Sequence, residues 1–141
     1  MCVKVAIRYY SRGGNTKKLA EAIGEELGIK ALTTDTPLEE DVDILFLGSS
    51  VYAYGVDDNI KRFIENIDVK VGCVYNFSTA ALIRSTHEQI KKLTKEKRLT
   101  LSDEEYACRG SFGPLHKGKP GEKEIKEVKA FARKVVKNIN E

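Results

Sequence analysis

Tryptophan is absent from this 141-residue chain, and methionine (one), histidine (two), proline (three) and cysteine (three) are scarce. Cys2, Cys73 and Cys108 are odd in number, far apart, and without a CxxC pair or a neighbouring histidine, which argues against a disulfide framework or a zinc site. Cys73 and Cys108 are therefore expected as buried structural thiols, and no metal site is expected. No apolar run approaches the roughly 20 residues of a membrane-spanning helix. The opening Met1-Cys2-Val3-Lys4-Val5-Ala6-Ile7 is too short and too charged for a signal peptide, so a cytoplasmic protein without membrane insertion is expected. Repeats, linkers and low-complexity tails are missing as well.

A strong charge of one sign is also missing. The net charge is +3, but it is uneven: residues 1 to 80 carry nine Lys/Arg against twelve Asp/Glu, residues 81 to 141 fifteen against nine. The basic half has no interleaved aromatics and no nucleic-acid reading motif, and its lysines recur beside glutamates on helical faces. A solvated face follows, not a nucleic-acid partner. What is present, 41% hydrophobic and 32% charged residues, is the composition of one soluble domain over residues 1–141. A chain of this mass buries about two thirds of its unfolded surface, enough for a core without disulfides or metal.

Strands and helices alternate along the chain. Val3 to Tyr10 is rich in β-branched and aromatic residues and runs into Ser-Arg-Gly-Gly, a strand entering a tight loop. From Asn15, Leu19, Ala20, Ile23 and Leu27 recur at helical spacing and Gly28 stops the helix. A short strand near Ile29–Leu32 follows. The run Ile44-Leu45-Phe46-Leu47, ending at Gly48-Ser49-Ser50, suits a strand buried on both faces. Further elements are a helix over Asp58–Ile67, a strand over Lys70–Phe77, a helix over Thr86–Arg98, a strand over Tyr106–Arg109 and a helix from Glu122 to about Asn138. Five strands and four helices in this order predict an α/β fold, an open parallel sheet covered on both faces. In such sheets ligands bind beyond the carboxyl ends of the strands, at the switch point of the topology. The loops there read SRGGNT, SSVYAYGVDD, STAA and GSFGPLHKGKPG.

Ser11-Arg12-Gly13-Gly14-Asn15-Thr16 brings hydroxyls, an amide, glycine-freed backbone N–H groups and a helix N-terminus to one point, the donor set of a phosphate cradle. It fits neither GxxxxGK[ST] nor GxGxxG, which disfavours triphosphate hydrolysis and a dinucleotide fingerprint. The alternative is a glycine loop capped by Asn15.

Two segments, Tyr9-Tyr10-Ser11-Arg12-Gly13-Gly14-Asn15-Thr16 and Leu47-Gly48-Ser49-Ser50-Val51-Tyr52-Ala53-Tyr54-Gly55, resemble the flavodoxin family, and the resemblance extends over essentially the whole chain. It implies a three-layer flavodoxin-like fold with strand order 2-1-3-4-5 and a bound FMN. The phosphate would sit on Ser11, Arg12, Gly13, Gly14, Asn15 and Thr16, and the ring beside Ser49, Ser50, Tyr52, Ala53, Tyr54 and Gly55. One tyrosine would stack on the ring, and a Gly55 peptide flip would offer a carbonyl to the reduced flavin nitrogen. Backbone groups of Ser78, Thr79 and Ala80 would meet the ring edge.

Three features depart from the family pattern. The loop after the fourth strand has no aromatic, the chain is slightly basic, and a long segment from Cys108 to Pro120 follows the last strand. The missing aromatic leaves one flavin face open or covered by another element, Phe112 or a second subunit, and the long segment is either a partner or substrate platform or a plain loop with a solvated His116. The resemblance implies an electron-transfer protein that moves electrons singly to a redox partner protein, as monomer or homodimer, without catalytic residues of its own. The alternatives are an FMN-dependent quinone reductase or protoporphyrinogen-oxidase-type enzyme, and a flavodoxin-like regulatory domain that holds no flavin.

Overall fold

A computed structural model of the chain describes residues 3–11, 14–51, 58–80, 86–109 and 120–140. Five strands, β1 (Val5–Tyr9), β2 (Leu32–Thr33), β3 (Val42–Val51), β4 (Val71–Ala80) and β5 (Tyr106–Arg109), alternate with helices α1 (Asn15–Leu27), α2 (Asp58–Glu65), α3 (His87–Glu96) and α4 (Glu122–Asn140). The strands form one parallel sheet in the order β2-β1-β3-β4-β5. From β1 the chain crosses first to one side and then to the other, which puts the switch point between β1 and β3.

Both faces of the sheet are covered because its central strands are apolar at successive positions. Ile44 and Phe46 point into a core shared with Leu19 and Ile23 of α1 and Val128 of α4. Leu45 and Leu47 point into a second core with Ile60 and Ile64 of α2 and Ile90 of α3. The same alternation runs along β4, where Tyr75 and Phe77 belong to the first core and Val74 to the second. Burial on both faces is what a parallel sheet demands of its strands.

α1 stops where its sequence stops it: Gly28 adopts φ 71°, and its N–H donates to the Gly24 carbonyl. α4 begins with Glu124 reaching back, its Oε1 accepting from the Gly121 N–H at 2.9 Å, a carboxylate cap on the first turn. The buried Arg8 of β1 pins the segment after β2, donating to the carbonyls of Thr36 (2.8 Å) and Pro37 (3.4 Å) as well as to that of Ile7 (3.0 Å). Desolvation pushes its guanidinium below the ordinary arginine value, against the opposing pull of Glu39.

Several boundaries differ from the sequence reading. β3 and β4 run on through Gly48-Ser49-Ser50 and Ser78-Thr79-Ala80, residues that read as turn formers, because each pairs with the other strand from Gly48↔Phe77 to Val51↔Ala80. β2 is two residues long and lies at Leu32–Thr33, later than expected. The edge next to β4 is built in two pieces: Leu101 bridges Val74, the chain bulges over Asp103–Glu105, and Tyr106 rejoins opposite Phe77. His87 Nε2, 2.9 Å from the Ser102 carbonyl, ties that bulge to the start of α3. Cys73 and Cys108 are free thiols but only partly buried, a correction to their expected place in the core: they pack at its margin. None of the described helices is long and apolar enough to cross a membrane.

Candidate functional site

β1 delivers the chain to the switch point. Its last residue pairs with Gly48, and the Tyr10 N–H donates to the Gly48 carbonyl at 3.1 Å. Ser11 Oγ then accepts from the Gly14 N–H at 2.9 Å, closing the loop on itself. Gly14 stands at φ 87°, a left-handed conformation that a side chain strains, and leads directly into α1. Gly14, the residue before the helix, has no side chain to cap its N-terminus, and the first turn holds no acidic residue. Lys17 and Lys18, both exposed, follow in that turn. The first N–H groups of a helix have no partner within it, and the helix dipole makes the same end positive. An anion is the group these residues fit.

Beneath this loop lies a layer of buried hydroxyls. Thr16 Oγ1 donates to the Ser49 carbonyl at 3.1 Å and lies 2.9 Å from Thr79 Oγ1. Ser49 Oγ lies 2.8 Å from Thr86 Oγ1, which in turn accepts from Asn76 Nδ2 at 3.0 Å. The Thr86 N–H donates to Ser78 Oγ at 3.4 Å. All six side chains are buried. Gly48 completes the layer: a Cβ there would stand 2.4 Å from the Phe77 ring and 2.9 Å from Thr16 Cγ2, so only glycine lets β3, β4 and α1 approach this closely.

Of the residues expected to hold a cofactor, Ser11, Gly14, Asn15 and Thr16 lie together at the start of α1. Ser49 and Ser50, with Ser78, Thr79 and Ala80, lie side by side at the carboxyl ends of β3 and β4. The hydroxyls of Thr16, Ser49, Ser78 and Thr79 are turned inward, into the buried layer. Asn15 is itself 7% exposed. Arg12, Gly13, Tyr52, Ala53, Tyr54 and Gly55 lie outside the described residues, as do Phe112 and His116. Sequence reasoning overlooked Gly48, Asn76 and Thr86. Asn76 did carry a signal, a carboxamide within the otherwise apolar run Val74-Tyr75-Asn76-Phe77, whereas Thr86 reads only as a helix start.

Residues 6–140 match the family model of the flavodoxin domain. The chain belongs to the flavodoxin-domain family. Similar to this flavodoxin-domain chain, at 29% identity over 138 residues, is an uncharacterized protein of Methanocaldococcus jannaschii, the match covering 88% of this chain and 91% of that one. Among solved structures, a flavodoxin from the domain Archaea superposes with a TM-score of 0.79 at 18% identity, covering 98% of this chain and 99% of the other. Oxidised flavodoxin 1 of Bacillus cereus gives 0.67 at 16% identity, over 95% and 97% of the two chains. The fold also recurs as part of a larger protein: rubredoxin oxygen:oxidoreductase of Desulfovibrio gigas gives 0.75 at 13% identity, over 97% of this chain but 36% of that one. These likenesses establish the fold, with the flavodoxin strand order and four helices.

Proposed function

We propose that this flavodoxin-domain protein binds FMN and serves as a cytoplasmic electron carrier for a redox partner protein. The observation that supports the reading best is the start of α1: a loop closed by Ser11, a left-handed Gly14, an uncapped helix N-terminus and no carboxylate in the first turn, all at the switch point of the sheet. A phosphate fits that donor set, and a dianion gains charge-assisted bonds there that a neutral ligand forgoes. The flavin of FMN supplies one-electron redox chemistry when bound. The protein's own part is to hold the phosphate on the N–H groups at the start of α1, to fix the ends of β3 and β4 beside the ring, and to keep water from the buried side of the site. Ser11 and Gly14 shape the loop, while Thr16 anchors it from below.

The second reading, an FMN-dependent quinone reductase or protoporphyrinogen-oxidase-type enzyme, draws on the absence of any aromatic between Ser78 and Thr86, which takes a stacking wall away from one side of a ring. One experiment addresses both. The purified protein is expected to carry or take up FMN, turning yellow, and anaerobic reductive titration is expected to resolve two separate one-electron potentials. Bound FMN with a single two-electron potential and rapid quinone turnover would replace the carrier with the enzyme, and no flavin uptake would remove both readings.

A further inference from the structure

Thr86 occupies the position from which a threonine ordinarily caps a helix, at the start of α3, yet its hydroxyl makes no cap hydrogen bond. It is spent on Ser49 Oγ at 2.8 Å and on Asn76, whose Nδ2 lies 3.0 Å and Oδ1 3.3 Å away. Its backbone N–H goes to Ser78 Oγ. Forgoing a cap leaves a helix terminus less satisfied. A fully buried residue that accepts this loss is held by something else.

The alternation of the strands shows what that is. Asn76 and Ser78 lie on the α2/α3 face of β4, and Ser49 lies on the same face of β3. Thr79 lies on the α1 face, where it meets Thr16. The two groups of hydroxyls are therefore separated by the sheet, and Ser49 joins them: its side chain bonds Thr86 on one face, and its carbonyl accepts from Thr16 on the other. One continuous chain of hydrogen bonds runs from the helix that follows the phosphate-type loop, through β3, to the two ends of the segment that leaves β4 at Ala80 and returns at Thr86. A buried polar network whose members are all partnered fixes geometry, whereas apolar side chains of the same size would fill the space without directing it.

We propose that Thr86, supported by Asn76 and acting through Ser49 and Ser78, is a positioning residue of the flavin site, fixing where the chain leaves β3 and β4 and thereby setting the redox potential of the bound cofactor. The inference rests on the FMN reading above. Thr86 does not touch the cofactor. It fixes the backbone that does, so its loss acts on the ring side of the site and leaves the phosphate contacts of the α1 loop intact.

The test compares Thr86→Val, which keeps the shape and deletes the hydroxyl, with Thr86→Ser, which keeps the hydroxyl. T86V is expected to bind riboflavin and FMN each roughly tenfold more weakly, leaving their ratio unchanged. A tenfold change in the relative hold on two oxidation states moves a one-electron potential by about 59 mV, and a shift of that order is expected in T86V and not in T86S. In flavin-free T86V, hydrogen exchange at the amides of Ser49 and Ser78 should accelerate. Wild-type potentials in T86V, with only thermal stability lowered, would overturn the proposal, as would a T86S shift as large as that of T86V. Should T86V not fold, Ser49→Ala, which deletes the Ser49–Thr86 bond and keeps Thr86, must move the potential in the same way, and an unmoved potential there overturns the proposal too. Failure of the FMN reading is seen separately: wild-type protein then binds no flavin before any variant is made, and the inference falls with it.

Discussion

At the scale of single residues, the side chains that build the site face away from where a ligand would lie. Thr16, singled out as a phosphate-loop hydroxyl, points that hydroxyl at Ser49 and Thr79, so what it offers outward is the backbone N–H of the first helical turn. Gly48 is the residue on which the approach of α1 to the sheet depends. Gly48→Ala is expected to destabilise the flavin-free protein by about 1 to 3 kcal/mol, because the new methyl must displace both the Phe77 ring and Thr16 Cγ2. Urea unfolding measures it, and a loss much smaller than this would mean that the layer yields more readily than its packing suggests. The turn at Gly14 and the start of α1 were legible because a glycine loop ahead of a helical period has a fixed backbone chemistry. Gly48 was not, because its importance lies in Phe77 and Thr16, distant along the chain, which no local pattern reveals; Asn76 stood out as a carboxamide in an apolar strand, but its partner Thr86 did not.

Elements were legible where a local signal ends them. Asn15–Leu27 followed by Gly28 emerged as expected, because helical periodicity and a left-handed glycine agree on the boundary. Gly28→Ala meets no neighbouring atom, so its cost is purely conformational, about 1 to 2 kcal/mol, and should appear as a lower denaturation midpoint with an unchanged urea m-value. A neutral result would place the end of α1 under the control of tertiary packing. Strand ends were read less well. The serines and threonine after Leu47 and Phe77 carry turn chemistry, and only the register between β3 and β4 keeps them extended. The two-piece edge beside β4 also escaped, since a bulge tied down by His87 depends on a contact made after folding.

For the molecule as a whole, the alternation of strands and helices dictated an open parallel sheet with two covered faces, whereas the order 2-1-3-4-5 was legible only through the family resemblance of the loop motifs. Titration is a property of this scale too. Burial pushes the Cys73 thiol and the Tyr75 and Tyr106 phenols above their ordinary values; for Tyr106 the hydrogen bond donated to Glu127 at 2.8 Å adds to the effect. The folded protein therefore holds these protons after the unfolded chain has released them. Their contribution is fully present below the unfolded values and is lost as pH rises through roughly 9 to 10 and beyond. Unfolding free energy should fall over that range, and Tyr106→Phe should flatten the fall; an unchanged slope in that variant would remove Tyr106 from the explanation.

Titration calorimetry of the flavin-free protein with FMN and with riboflavin shows whether the start of α1 holds the phosphate of FMN, as proposed. If the loop of Ser11 and Gly14 and the uncapped helix end hold the phosphate, FMN should bind at least about a hundredfold more tightly than riboflavin, the worth of two or so hydrogen bonds to a charged group. Equal affinity for the two ligands would contradict it.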